Sequence, residues 1–171
     1  GKSNFIAELK RKGITVRKDN PALDTLISIV KEREAKGYAY EAAEASFELL
    51  ARRRLSKMPE FFKVESFRTQ VERRFNAAGD IVTVSEAVGK VVVDGETYFS
   101  VAEGSGPVNA LDRALRKDLG KYQSQIADLE LVDYKVRILN GGTEAITRVL
   151  IESVDATGER WTTIGVSDNI I

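Results

Sequence analysis

The 171-residue chain contains no cysteine and no histidine. Without cysteine there are no disulfides, no thiol chemistry and no thiolate metal site. Without histidine the commonest general base and the commonest metal ligand are also missing, which leaves carboxylates, Lys, Ser and Tyr for any catalysis. Charge of one sign is lacking too, because 26 Lys and Arg balance 26 Asp and Glu. A balanced chain has no net field to draw in nucleic acid or an anionic membrane, so neither is expected as a partner. No apolar run approaches the ~20 residues of a membrane span. The opening GKSNFIAELKRKG has no signal-peptide core, and the expected location is cytoplasmic. What is present suffices for a folded core, since 43% of the residues are hydrophobic and 30% charged.

The chain changes character near Pro59. Before it, helical spacing dominates. Ser3 is placed to cap a first helix carrying Phe5, Ile6 and Leu9, which ends at Gly13. Asp19-Asn20-Pro21 starts a second, with Leu23, Leu26, Ile27 and Val30 at helical spacing and Gly37 as its stop. A third is predicted from near Glu41, with Ala42, Ala45, Leu49, Phe47 and Leu50 turned inward and Arg52, Arg53 and Arg54 complementing its negative end. An RNA contact is the alternative role for those three arginines.

After Pro59 the period becomes two. Phe62 and Val64, then Phe67, Thr69 and Val71, alternate with polar residues as in a strand. Asn76 to Asp80 is a turn. Ile81 to Val93 is long for one strand, and Gly89 is a candidate bulge. Asp94-Gly95 signals a hairpin into Thr97 to Ala102. Gly104-Ser105-Gly106-Pro107 then turns into a helix with Val108, Leu111, Leu115, Leu119 and Tyr122 on one face.

The chain also repeats itself. GETYFSVAEG from Gly95 returns as GERWTTIGVS from Gly158, so Tyr98 matches Trp161, Val101 matches Ile164 and Ala102 matches Gly165. Upstream, VESFRTQV from Val64 is loosely echoed by VDYKVRIL from Val132. Each copy supplies three strands. The first continues into a helix, whereas the second reaches Ile171 where its helix is due. The expectation is therefore a truncated second copy that leaves apolar sheet surface open. The fold class is α+β: an N-terminal helical segment over residues 1–58, then two pseudo-symmetric βββα units over residues 59–171, repeat one spanning 60–122 and repeat two 128–171. Exposed strand edges in such units invite a second chain.

GKSNF at the start, GYAYEAAEASFELLARR from Gly37, AEGSGPVNALDRALRK from Ala102 and LVDYKVRIL from Leu131 resemble the C-terminal part of the 2-isopropylmalate and homocitrate synthase family, in its citramalate branch. The resemblance covers essentially the whole chain. It implies that residues 1–58 are a linker and that the remainder is an allosteric, dimerising domain. The family's catalytic TIM barrel, an acyltransferase that condenses acetyl-CoA with pyruvate at a divalent metal held by His and Asp, is absent from this sequence. No catalytic residue, metal or cofactor is thus expected within the chain itself. The partner implied is a second copy of the chain, and the effector is the pathway end product. That is isoleucine for the citramalate branch and leucine for the isopropylmalate branch.

A free amino acid presents a carboxylate, an ammonium and an apolar side chain. Backbone amides near Gly106 to Asn109, at a positive helix end, suit the carboxylate, and the bare Gly104 and Gly106 permit close approach. By position in the family motif, Leu131, Tyr134 and Ile138 line the aliphatic pocket, with Val108 and Val149 closing it. Spacings of three and four do not share one face of a straight strand, so either a bulge intervenes or the three serve different subunits. A phosphate site at the glycine corner lacks the Lys and the spacing of a P-loop. Asp133 and Asp168 have no base beside them and are not a catalytic pair, and Trp161 is assigned to the core. A purely structural dimerisation module is the runner-up. A third reading lets Lys2, Ser3 and Asn4 of the linker approach a partner's active site.

Overall fold

A computed structural model describes residues 1–142 and 145–169. The chain forms two compact units. One joins Gly1–Met58 to residues 129–169, and the other is Pro59–Asp128. The break at Pro59 coincides with the change of period in the sequence, and the second sheet belongs to the same unit as the helical segment.

In the first unit, α1 (Lys2–Arg11), α2 (Pro21–Ala35) and α3 (Glu44–Leu55) enclose a core of Leu9, Leu23, Leu26, Val30, Tyr40, Phe47, Leu50 and Ala51. The start signal of α2 works as its residues dictate, since Asn20 Oδ1 accepts from the Ala22 amide at 2.9 Å and Pro21 takes the first helical position. Two other helix signals resolve differently. Ser3 lies inside α1, whose cap is Gly1 with no side-chain bond. Residues Tyr40–Ala42 form a 3₁₀ turn, so α3 begins after Ala43 rather than at Glu41. That offset rotates the helix: Ala43, Phe47, Leu50 and Ala51 go in, while Ala42 and Leu49 stay exposed. Phe47 wins the inward position because its ring meets Phe5 and Tyr40 edge-on, at 6.0 and 6.2 Å.

The same unit carries an antiparallel sheet of β4 (Glu130–Ile138), β5 (Thr147–Val154) and β6 (Arg160–Ser167) in that order. Helix α3 lies along β6. Ser46 Oγ accepts the outward-facing Ile164 amide at 3.0 Å, and the Ile164 side chain packs on the helical core. The Arg148 Nε donates to the Gly37 carbonyl at 2.6 Å.

The second unit is an antiparallel sheet of β1 (Lys63–Phe75), β2 (Ile81–Val93) and β3 (Glu96–Gly104), followed by α4 (Pro107–Lys117). Asp94 and Gly95 both have positive φ, at 50° and 81°, which makes the β2–β3 connection a type I′ hairpin. Gly89 is not a bulge. It pairs in continuous register with Phe67 and Ser100, and a Cβ there would come within 3.1 Å of Leu115. Its bareness lets α4 sit close to the sheet. For the same reason the buried ridge of α4 is Ala110 and Ala114 on Ala87, with Leu111 and Leu115 only at its margin. Leu119 is buried against Val91 and Val93 just after α4, and Tyr122 sits in the 3₁₀ turn Gly120–Gln125.

Both sheets are three-stranded antiparallel meanders, and both carry a register shift at the same place, between Val64 and Ser66 in β1 and between Leu131 and Asp133 in β4. Phe67 stands opposite Gly89 and Tyr134 opposite Ile151 just past those shifts, so Phe67 corresponds to Tyr134. The self-match of Val64 with Val132 is therefore one residue out, while Tyr98 with Trp161 holds. The expectation attached to Ile171 lies outside the described residues. Among those residues no helix is long and apolar enough to cross a membrane.

Candidate functional site

The glycine corner joins β3 to α4 and is built from its own backbone. A Cβ on Gly104 would stand 2.5 Å from the Ala110 nitrogen and 2.6 Å from Asn109 Oδ1. The space left by that missing side chain is thus filled by the first turn of α4. Asn109 reaches back, its Oδ1 accepting the Ser105 amide at 3.0 Å. Gly106 differs, since nothing lies within 4 Å of an added Cβ and no side chain caps the helix it precedes. The amides of the first turn, Val108 and Asn109, have no carbonyl one turn behind them, and the helix dipole adds partial positive charge at the same end. Val108 and Asn109 are half-buried beside this opening.

The helix is clamped to its sheet edge by its own cations. Arg113 Nη1 donates to the Glu103 carbonyl at 3.2 Å and Lys117 Nζ to the Val101 carbonyl at 3.0 Å. Ser100 Oγ closes the far end on Asp118 Oδ2 at 2.8 Å. The corner is accordingly held rigid, with only the Gly106 side left open.

Leu131, Tyr134, Ile138 and Val149 all lie in the second sheet. The register shift between Leu131 and Asp133 answers the spacing problem, because an extra residue there returns Leu131 to the face of Tyr134. Leu131 pairs with Ser153, Tyr134 with Ile151, Val136 with Val149 and Ile138 with Thr147. Directly paired residues of an antiparallel ladder share a face, so the four expected residues form one apolar patch with Val136 and Ile151. The patch is open: Leu131 is 44% exposed and Ile138 63%. Arg148, Ile164 and Val166 belong to the opposite face, which the helical segment approaches. In the other unit the corresponding face, at Ala87 and Gly89, carries α4.

The site residues thus fall into two groups, Gly104, Gly106, Val108 and Asn109 in one unit and Leu131, Tyr134, Ile138 and Val149 in the other. Asp133 is engaged locally, its Oδ1 accepting the Tyr134 amide at 2.9 Å and its Oδ2 pairing with Lys135 at 3.3 Å. Of the three N-terminal residues singled out in the sequence, Lys2 pairs with Asp24 at 2.8 Å, and Asn4 lines a cleft of about 390 Å³ with Tyr40 and Glu41. Sequence reasoning missed Val136 and Ile151 as members of the apolar patch. The alternation around Tyr134 carries the signal for Val136.

The three-stranded antiparallel meander thus occurs twice, and in the first copy an amphipathic helix packs on one face of the sheet. Residues 41–171 match the model of the LeuA allosteric (dimerisation) domain. The chain belongs to that family. It is 46% identical over 173 residues to an (R)-citramalate synthase of Synechocystis sp., covering 100% of this chain and 31% of the relative. A Streptomyces coelicolor (R)-citramalate synthase is likewise 46% identical, with 100% of this chain and 32% of the relative covered. A probable 2-isopropylmalate synthase of Methanopyrus kandleri is 27% identical, again over 100% of this chain and 32% of the relative. The chain spans about a third of the length of these curated relatives.

Proposed function

We propose that this chain is the linker and the feedback-sensing, dimerising part of a citramalate synthase, and that it binds isoleucine. The linker is residues 1–58 and the sensor residues 59–171. The observation that carries the ligand reading is the single apolar face on which the β4 bulge gathers Leu131, Tyr134, Ile138 and Val149. That face suits a branched aliphatic side chain, and the open, uncapped corner at Gly106 suits a carboxylate. The choice of isoleucine over leucine is supported by the relatives at 39% to 46% identity over the whole chain, which are named (R)-citramalate synthase.

Isoleucine bound here lowers synthase activity only by binding the inhibited state more tightly than the active one. The helical segment before Pro59 transmits the difference toward the barrel. Catalysis itself, the condensation of acetyl-CoA with pyruvate at a divalent metal, belongs to the barrel of the whole protein. Self-association uses the β1–β2 ribbon. β3 pairs with β2 only from Ser85 onward, so among the described residues Ile81 to Val84 have β1 as their one paired strand. On that ribbon Phe67, Val71, Phe75 and Ile81 share one face and are 49%, 50%, 73% and 57% exposed, an apolar strip of the kind that marks an interface.

Calorimetric titration with isoleucine, leucine and valine tests the reading, with the mass in solution recorded at the same concentration. A dimer that binds isoleucine saturably, and about 10- to 200-fold more tightly than leucine, is the expected result. Tighter binding of leucine would transfer the parent to the isopropylmalate branch. A dimer that binds none of the three would leave a structural module only.

A further inference from the structure

A cleft of about 350 Å³ in the helical unit is lined by Arg33, Arg53 and Arg54, with Tyr38, Tyr40 and Ile164 among its other walls. Among the described residues no carboxylate lines it. We propose that this cleft binds a dianionic phosphate group, either free or carried on a small organic molecule.

The charges converge from two helices. Arg33 comes from the last turn of α2, and Arg53 and Arg54 come from the last turn of α3. Complementing the dipole of α3 accounts for cations in its own last turn, but not for a third guanidinium from another helix aimed at the same space. The neighbouring Arg52 shows what a structural arginine does in this segment. Its Nε donates to Glu48 Oε1 at 2.9 Å and its Nη2 to the Lys12 carbonyl at 2.9 Å. The side chains of Arg53 and Arg54 are exposed and make neither an ion pair nor a hydrogen bond with any described residue.

Arg33 is pre-positioned. Its Nη1 donates to the Tyr40 hydroxyl at 3.1 Å, and its Cζ lies 5.6 Å from the centre of the Tyr38 ring. A guanidinium so held still has donors left over, and its planar fork matches phosphate oxygens two at a time. In a chain with equal numbers of acidic and basic residues, three guanidiniums around one cleft with no carboxylate form a local positive potential that an anion relieves. The stacked Tyr38–Tyr40 pair, ring centres 5.7 Å apart, and Ile164 give the cleft an apolar wall beside the charges. That wall favours a phosphate attached to an organic group. The volume lies at the small end of the range for ligand pockets.

The test follows the arginine side-chain Nε–Hε resonances of the 171-residue chain during titration with inorganic phosphate and with phenyl phosphate. Saturable shifts at Arg33, Arg53 and Arg54 are expected, and those with phenyl phosphate strengthen as pH rises through the second ionisation of a phosphate monoester, near pH 6. Arg53→Gln combined with Arg54→Gln weakens binding at least tenfold. Arg33→Lys, which keeps charge but loses the fork, weakens it as well. Tighter binding of phenyl phosphate identifies a carried phosphate, and equal binding identifies the free ion. Shifts that do not saturate, or affinities unchanged in both variants, would overturn the proposal. So would variant-sensitive binding of a single-stranded oligonucleotide with none of either phosphate, which would make the arginines a nucleic-acid surface.

Discussion

At Gly104 an added Cβ would meet the backbone of Ala110, whereas at Gly106, two residues on, it would meet nothing. Backbone cannot yield as a side-chain tip does, so Gly104→Ala is expected to cost about 1–3 kcal/mol in urea unfolding. Gly106 has an extended φ of −165°, which any residue adopts, so Gly106→Ala should leave stability within about 0.5 kcal/mol. The same methyl enters the space assigned to the effector carboxylate, and isoleucine affinity should fall at least tenfold. A stable Gly106→Ala protein with unchanged isoleucine affinity would remove the corner from the site. The corner itself was legible in the sequence, because Gly-Ser-Gly-Pro before an amphipathic stretch fixes a strand-to-helix turn. Which glycine serves packing was not, since that depends on how closely Ala110 approaches.

At the scale of elements, the hairpin at Asp94-Gly95 and the start of α2 at Asn20-Pro21 were legible, because each rests on backbone chemistry within two residues. The phase of α3 and the ridge of α4 were not. A 3₁₀ turn displaces the first, and small residues on both helix and sheet decide the second, burying Ala110 and Ala114 more deeply than Leu111 and Leu115. The join between α3 and β6 also lies beyond sequence reading, because Ser46 and the Ile164 amide are 118 residues apart. Ser46→Ala leaves that edge amide without its acceptor and is expected to destabilise the unit by about 1 kcal/mol in denaturant unfolding. The β5–β6 turn supplies a pH dependence. The Thr157 hydroxyl and the Thr157 and Glu159 amides donate to Asp155 Oδ1, at 2.7, 2.9 and 3.1 Å, and hold its carboxyl below the ordinary range. A folded pKa below the unfolded one stabilises fully above the ordinary value and less as pH falls through the lowered one. The difference in unfolding midpoint between the native chain and Asp155→Asn should therefore hold constant above about pH 5 and shrink below about pH 4.

For the whole molecule, the repeat and the resemblance together made the two-sheet architecture legible. The one-residue offset between β1 and β4 escaped, because a bulge is invisible to a comparison that counts residues evenly. That same bulge assembles the apolar face of the proposed effector site. Dimerisation makes a separate prediction. Phe75 is 73% exposed at the tip of the β1–β2 ribbon, so Phe75→Asp should leave the fold intact and raise the dimer dissociation constant at least tenfold in sedimentation equilibrium. An unchanged constant would move the interface elsewhere. The central claim, that the chain binds isoleucine and that the apolar face of the second sheet receives its side chain, is tested most directly by the amide NMR spectrum of the protein titrated with isoleucine. The account predicts saturable shifts at Leu131 to Ile138 and at Val149. No shift at those residues in a protein that remains dimeric would contradict it.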